Sequence, residues 1–240
     1  MKGEKIESGL WRWTAPHPEW TPEKGGPGGW ERDVGCVYCE APESSSDGVL
    51  LIDPLAPPAG TADAAAFWKA LDRDVSRSGR PVTILLTGPY HQRSASEIRE
   101  RYRRVAGASI WAPEGARPRL SVAPDRLFRS ADPLPGGLRG HAIPGPEIPE
   151  VAYEIPDRRA LVVADALIGA GGGRVRLAPR SWAEPTPEGR ARYAGPYVES
   201  VRRLGDLSVE ILLVSHGEPV LRRGRAAIRE AIDSAPWGEE

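Results

Sequence analysis

The sequence predicts an α/β fold arranged as a four-layer αβ/βα sandwich. Three observations carry that prediction. Short apolar runs, such as Leu50-Leu51-Ile52-Asp53-Pro54 and Ala160-Leu161-Val162-Val163-Ala164-Asp165, stop abruptly at an acid or a proline, as strands buried on both faces do. Segments with helical apolar spacing alternate with these runs, the pattern of layered α/β packing. The elements also fall into two β-rich halves, each carrying its own helices. With 27 glycines and 25 prolines among 240 residues, breakers are frequent and the elements between them should be short.

In order along the chain, Trp11-Arg12-Trp13 and Gly35-Cys36-Val37-Tyr38-Cys39 read as antiparallel strands, separated by a Pro/Gly-rich excursion at about 15–29. Gly48 to Pro54 is a buried strand. A helix follows over about Thr61 to Ser78, with Thr61 as N-cap and Ala65, Trp68 and Leu71 at helical spacing. Strand Val82 to Thr87, a polar loop, helix Ser94 to Val105 and strand Ala108 to Ala112 continue the alternation. Several short strands are expected between Arg126 and Val163, and Gly169 to Gly173 reads as a flexible break. A helix from about Pro187 to Leu204, strand Val209 to Val214 and a closing helix from Pro219 to Ala235 complete a single expected domain over 1–240.

A formal net charge of −1 gives no bulk attraction to polyanions, so nucleic acid is not an expected partner. No apolar stretch approaches the roughly 18 to 20 residues that cross a bilayer, and Met1 to Glu7 is charged without an apolar run behind it. Neither membrane association nor export is therefore expected, and the expected location is the cytoplasm. The two cysteines, Cys36 and Cys39, have the spacing of a redox motif or half a zinc site. No second Cys or His pair accompanies them, and they lie in a strand rather than at a helix N-terminus, so the preferred reading is two small strand residues.

Taken in order, Leu50-Leu51-Ile52-Asp53-Pro54, Ile84-Leu85-Leu86-Thr87 with its loop and helix, Val162-Val163-Ala164-Asp165-Ala166-Leu167 and Leu212-Leu213-Val214-Ser215-His216-Gly217-Glu218-Pro219 resemble the metallo-beta-lactamase superfamily. The resemblance runs from roughly Gly35 to Ile232 and rests on order and spacing more than on any one motif. It implies an active site in the cleft between two β-sheets. There a His-x-His-x-Asp-His motif after the second of these strands grips two zinc ions and activates a water that attacks esters, thioesters, lactams or phosphodiesters.

Residue by residue, the resemblance puts Gly88 and Tyr90 at the first two His positions, Gln92 at the Asp position and Arg93 at the next His position. A later His falls on Pro146 of Pro144-Gly145-Pro146. Asp165 matches the carboxylate that bridges the metals, and His216 matches the final His. Glycine and proline offer no donor atom, arginine stays protonated, and glutamine and tyrosine are poor substitutes for carboxylate and imidazole. The preferred reading is therefore a protein of this fold that has lost its zinc site and acts as a non-hydrolytic binding or regulatory protein, with no cofactor expected. Its partner is an unidentified small molecule or protein, and its oligomeric state is open.

Two alternatives accompany this reading. One is a hydrolase of thioesters, esters or lactones with a single zinc or other divalent metal on Asp165, His216 and either His91 or His141. The other is a metal-free acid/base enzyme in which Asp165 orients His216, with Tyr90 and His91 as further proton-transfer candidates. For Tyr90 and His91 the preferred reading is that they fill the emptied metal cavity by packing and hydrogen bonding, ahead of catalysis. A recessed Asp165 without metal requires a positive partner, and Arg93 is the expected one through an ion pair; the plainer alternative is an Arg93 pointing to solvent from the first turn of its helix. Ser94, with Glu97 three positions on, reads as a helix N-cap in a capping box rather than a nucleophile. The resemblance makes Asp53 a structural strand-end acid. His17 is expected at the surface, and Trp11, Trp13 and Trp237 are candidates for an interface.

Overall fold

The apolar runs form strands in the computed structural model, which describes residues 1–26 and 29–234. The described residues divide into two compact units, one of 1–18 and 35–138, the other of 19–26, 29–34 and 139–234. The first carries a seven-stranded sheet of β1 (Lys2–Glu7), β2 (Leu10–Pro16), β3 (Asp33–Glu40), β4 (Val49–Ile52), β5 (Val82–Leu85), β6 (Ala108–Pro113) and β7 (Arg126–Phe128), hydrogen-bonded in that order. β1 pairs antiparallel with β2, β3 antiparallel with β4, and β4 to β7 run parallel. β1 is not apparent from the sequence, because its Lys-Gly-Glu-Lys run lacks apolar alternation. It is an edge strand, where charge on an exposed face discourages pairing with other chains.

Helix α1 (Ala62–Ser78) begins as predicted, with Thr61 Oγ1 accepting from Ala64 N at 3.1 Å, and ends at Gly79 in the left-handed region. Its buried stripe is Ala64, Phe67, Leu71 and Val75, one position away from the predicted Ala65 and Trp68. Phe67 meets the ring of Trp13, itself buried with Nε1 donating to Leu55 O, so Trp13 is a core residue and not an interface one; Trp11 is exposed. Helix α2 (Ala95–Tyr102) is shorter than predicted and buries Ala95, Ile98 and Tyr102. Ser94 makes no side-chain cap. Its Oγ accepts from Ala56 N at 2.9 Å and its own N–H donates to Pro54 O, tying the start of α2 to the loop after β4 instead.

Cys36 and Cys39 are buried in β3, outside any disulfide, and their odd spacing puts them on opposite faces of the sheet. Burial pushes the Cys36 thiol up in pKa against the opposing pull of Arg93.

The second unit carries a four-stranded sheet in the order β13-β10-β9-β8, from β8 (Arg139–Ile143), β9 (Glu150–Ile155), β10 (Ala160–Val163) and β13 (Ile211–Val214). β8, β9 and β10 are antiparallel neighbours, and β10 and β13 are parallel. The predicted break at Gly169 to Gly173 is a hairpin of β11 (Leu167–Gly171) and β12 (Arg174–Leu177); Gly171, Gly172 and Gly173 all take positive φ in its turn. The predicted helix over Pro187 to Leu204 forms in three parts: α3 (Pro187–Arg192), a π-helical turn (Tyr193–Tyr197) and α4 (Val198–Leu204). Pro196 lies inside the wider turn. With no N–H and a ring that crowds the carbonyl four residues back, it disfavours a tight α turn there.

Helix α5 (Gly224–Asp233) starts later than the predicted Pro219, because Val220 bridges to Leu212 and Arg223 is left-handed at φ 61. The expectations for Ala235 and Trp237 lie outside the described residues. The excursion belongs to this unit from Glu19 onward, and there Trp20 Nε1 donates to Trp30 O at 2.9 Å. Among the described residues no helix is long and apolar enough to cross a membrane.

Candidate functional site

In the first unit, the strand ends β4 and β5 lie side by side, because β4 and β5 pair in parallel from Val49↔Val82 to Ile52↔Leu85. Asp53, one residue beyond β4, is 2% exposed. Its carboxylate accepts from Thr87 N at 2.8 Å and from Thr87 Oγ1 at 2.6 Å. His91 Nδ1 lies 3.1 Å from the same Oδ2, and His91 is 4% exposed. Asp53 is therefore the strand-end acid that the resemblance implied, with buried His91 as an additional neighbour. Asp53 and Arg93 both hold positive φ, 49° and 40°, an uncommon state for residues with a Cβ. Arg93 Nη1 donates to Gly35 O and to Asp53 O, each at 2.8 Å, so the guanidinium turns into the unit and the solvent-pointing alternative is not what forms. Arg93 also precedes α2 rather than opening it.

Gln92 is equally committed. Its Oε1 accepts from Ser121 N at 2.7 Å and Val122 N at 2.8 Å, while Nε2 donates to Pro89 O at 2.7 Å. Tyr90 points outward from the short 3₁₀ turn Pro89–His91, is 58% exposed and accepts from Arg119 at 3.3 Å, so its ring fills no cavity.

In the second unit, parallel pairing does the positioning. Val163 of β10 and Val214 of β13 are register partners, and Asp165 and His216 each lie two residues beyond their strand. Equal spacing from adjacent strand ends brings the two side chains together, with His216 Nε2 3.0 Å from Asp165 Oδ1. Two half-buried indoles flank the imidazole edge-to-face, Trp30 at 5.3 Å and Trp182 at 6.0 Å between ring centroids. Glu150, the first residue of β9 and 6% exposed, receives Asp165 N at 2.9 Å and Ala166 N at 3.2 Å on its two oxygens. Behind His216, Gly169 N donates to His216 O at 2.9 Å, and the two backbones approach so closely that a Cβ on Gly217 would lie 2.3 Å from Gly169 O.

His141 does not join this pair. It stands on β8 with Nε2 2.9 Å from Glu154 Oε2 across the strand pair, which removes the His141 version of a three-ligand set. Among the described residues no three or more His, Cys, Asp or Glu side chains form a group arranged to hold a metal ion. The donor chemistry agrees: Gly88 and Pro146 have no donor, Arg93 is a cation bonded to two carbonyls, and the oxygen of Gln92 already accepts from backbone. The residues present do not fit a dinuclear zinc centre.

Sequence reasoning missed Glu150, Trp30, Trp182, Tyr193 and Tyr197. Only the tyrosine pair carried a signal, an i, i+4 spacing around Gly-Pro; the others come from distant segments and look ordinary in sequence.

No protein-family model matches the chain, and no curated protein does. Solved structures do match. A beta-lactamase domain protein from Burkholderia ambifaria aligns with a TM-score of 0.64 at 16% identity over 95% of this chain and 74% of its own. A metallo beta lactamase from Hirschia baltica aligns with a TM-score of 0.63 at 14% identity, covering 97% and 96%. One from Pontibacter korlensis gives 0.62 at 16%, covering 97% and 99%. At these identities the likeness establishes the fold: this chain has the metallo-beta-lactamase fold, as its motif order implied.

Proposed function

We propose that this metallo-beta-lactamase-fold chain has given up zinc hydrolysis and serves as a binding or regulatory protein for a small molecule or protein partner. One observation carries the reading. The side chains at the ligand positions around Gln92 and Arg93 are incorporated into the hydrogen bonding of the fold, holding the Ser121–Val122 backbone and the carbonyls of Gly35 and Asp53. A cation replacing an imidazole neither donates a lone pair to zinc nor tolerates a dication beside it. Zinc binding requires a third ligand beside Asp165 and His216.

The measurement is elemental analysis of protein purified without chelator. Zinc, iron and manganese together are expected at no more than about 0.1 equivalents, since two ligands hold zinc weakly. A near-stoichiometric metal content would overturn the reading in favour of a thioester, ester or lactone hydrolase with an altered site.

The 3.0 Å contact between His216 Nε2 and Asp165 Oδ1 favours a second reading, metal-free acid/base chemistry in which the carboxylate orients the imidazole. Here Asp165 selects the tautomer with a proton on Nε2, and the two indoles limit rotation of the ring. Turnover that survives chelation and disappears in His216→Ala is the expected signature; turnover unchanged in that variant rejects the dyad.

A further inference from the structure

We infer that Tyr197 is a positioning residue for the Asp165–His216 pair, acting through the base of the β11–β12 hairpin; this rests on reading that pair as the working group of the site. Tyr197 is fully buried, and its hydroxyl sits where the two hairpin strands part. It donates to Ala166 O at 2.6 Å and accepts from Ala178 N at 3.0 Å, while Ala178 N also reaches Ala166 O at 3.3 Å. Tyr193 Oη donates to Ala178 O at 2.6 Å. Two hydroxyls, one helical repeat apart on the π-helical turn, thus hold both strands of the hairpin at its open end.

The clamp lies one residue from Asp165. Ala166 has its carbonyl on Tyr197 and its N–H on Glu150, so the residue that follows Asp165 is held through both of its peptide groups. Farther along the same hairpin, Gly169 N holds His216 O, and beyond its second strand Trp182 contacts the imidazole. The segment from Asp165 to Trp182 therefore touches His216 at its start, at the middle of its first strand and at its end. A displacement at the Ala166–Ala178 junction moves all three contacts together. Burial keeps the Tyr197 hydroxyl protonated by pushing it well above the ordinary phenol range, and a neutral hydroxyl is what one donated and one accepted bond require.

The π-helical geometry accounts for the reach. In a wider turn the chain carries Tyr193 and Tyr197 on one side with their rings in contact at 4.9 Å, and Pro196 within the turn disfavours its reversion to a continuous α-helix.

The test uses the full-length protein, labelled at histidine, with the His216 and His141 imidazole signals followed by NMR at fixed pH. In Tyr197→Phe the His216 signal, placed in the ring-current fields of Trp30 and Trp182, is expected to move by more than its linewidth. The His141 signal, held by Glu154 on β8 and β9, is expected to stay. A folded Tyr197→Phe with an unmoved His216 signal overturns the inference, even if the melting temperature falls, because a purely structural clamp lowers stability without moving a native-state resonance. Should that variant fail to fold, Tyr193→Phe decides: it removes only the bond to Ala178 O, and a displacement of the His216 signal beyond its linewidth supports the inference while none rejects it. The reading of the pair as the working group fails separately, when binding or turnover survives His216→Ala; the Tyr197→Phe displacement is then still present.

Discussion

Replacing Glu150 by alanine is expected to destabilise the fold by about 3 kcal/mol, lowering the melting temperature by about 6 to 12 °C for a chain of this size. The carboxylate is buried at the start of β9 and spends one oxygen on Asp165 N and the other on Ala166 N. Alanine leaves Ala166 N, in a residue with no solvent exposure, without that acceptor, and burying an unsatisfied amide costs about 1 to 3 kcal/mol. Loss of a charge-assisted bond at Asp165 N adds to this. Glu150→Gln has a single carbonyl oxygen to offer two N–H groups and is expected to recover less than half of the loss. Thermal or denaturant unfolding measures both variants. A Glu150→Ala protein within about 0.5 kcal/mol of the parent, the range of ordinary surface changes, would show that the carboxylate does not hold the Asp165 loop.

Gly217→Ala is the second large effect. Gly217 follows His216 with φ of 78°, and an added Cβ would lie 2.3 Å from Gly169 O and 2.9 Å from Gly169 C. Left-handed backbone costs an L-residue about 1 to 2 kcal/mol, and forcing apart two packed backbones adds about 1 to 3 kcal/mol, so a loss of about 2 to 5 kcal/mol is expected. The two backbones cannot separate without stretching the bond from Gly169 N to His216 O, so the imidazole moves as well. Gly172→Ala is the matched control. It has positive φ of 59° but nothing within 4 Å of the added Cβ, and only the conformational cost of about 1 to 2 kcal/mol is expected. Equal melting temperatures for the two variants would show that the close approach of Gly169 and Gly217 is not a constraint.

The order of elements was legible because it follows from burial. A run such as Leu50 to Ile52 has no way to be solvated, and Pro54 ends it, so its place as an inner strand needs no knowledge of its neighbours. The same holds for Val82 to Leu85 and Ile211 to Val214. Helix α1 was legible through Thr61, whose capping bond is local, although which side of the helix faces the sheet was displaced by one position. Failures arose where non-local pairing overrode local signals. Ser94 has a capping-box spacing, yet its hydroxyl is taken by Ala56 N, 38 positions away. Gly169 to Gly173 reads as a flexible break, but the positive φ values of Gly171, Gly172 and Gly173 build a hairpin turn. β1 lacked apolar alternation and owes its form to β2.

The sequence by itself determined the order of the buried inner strands and the main helices, and the absence of zinc donors at most of the ligand positions implied by the resemblance. Those are properties of residue type: glycine and proline carry no donor atom, and an arginine is a cation wherever it is placed. Only the tertiary structure decided that Arg93 binds the carbonyls of Gly35 and Asp53, that parallel registration of Val163 with Val214 brings Asp165 onto His216, and that Glu150 and Tyr197 grip the backbone of Ala166 beside Asp165. The reason is geometric. A hydrogen bond acts over about 3 Å, and segments tens of residues apart come within that range only once strand register and helix docking have set where each backbone group points.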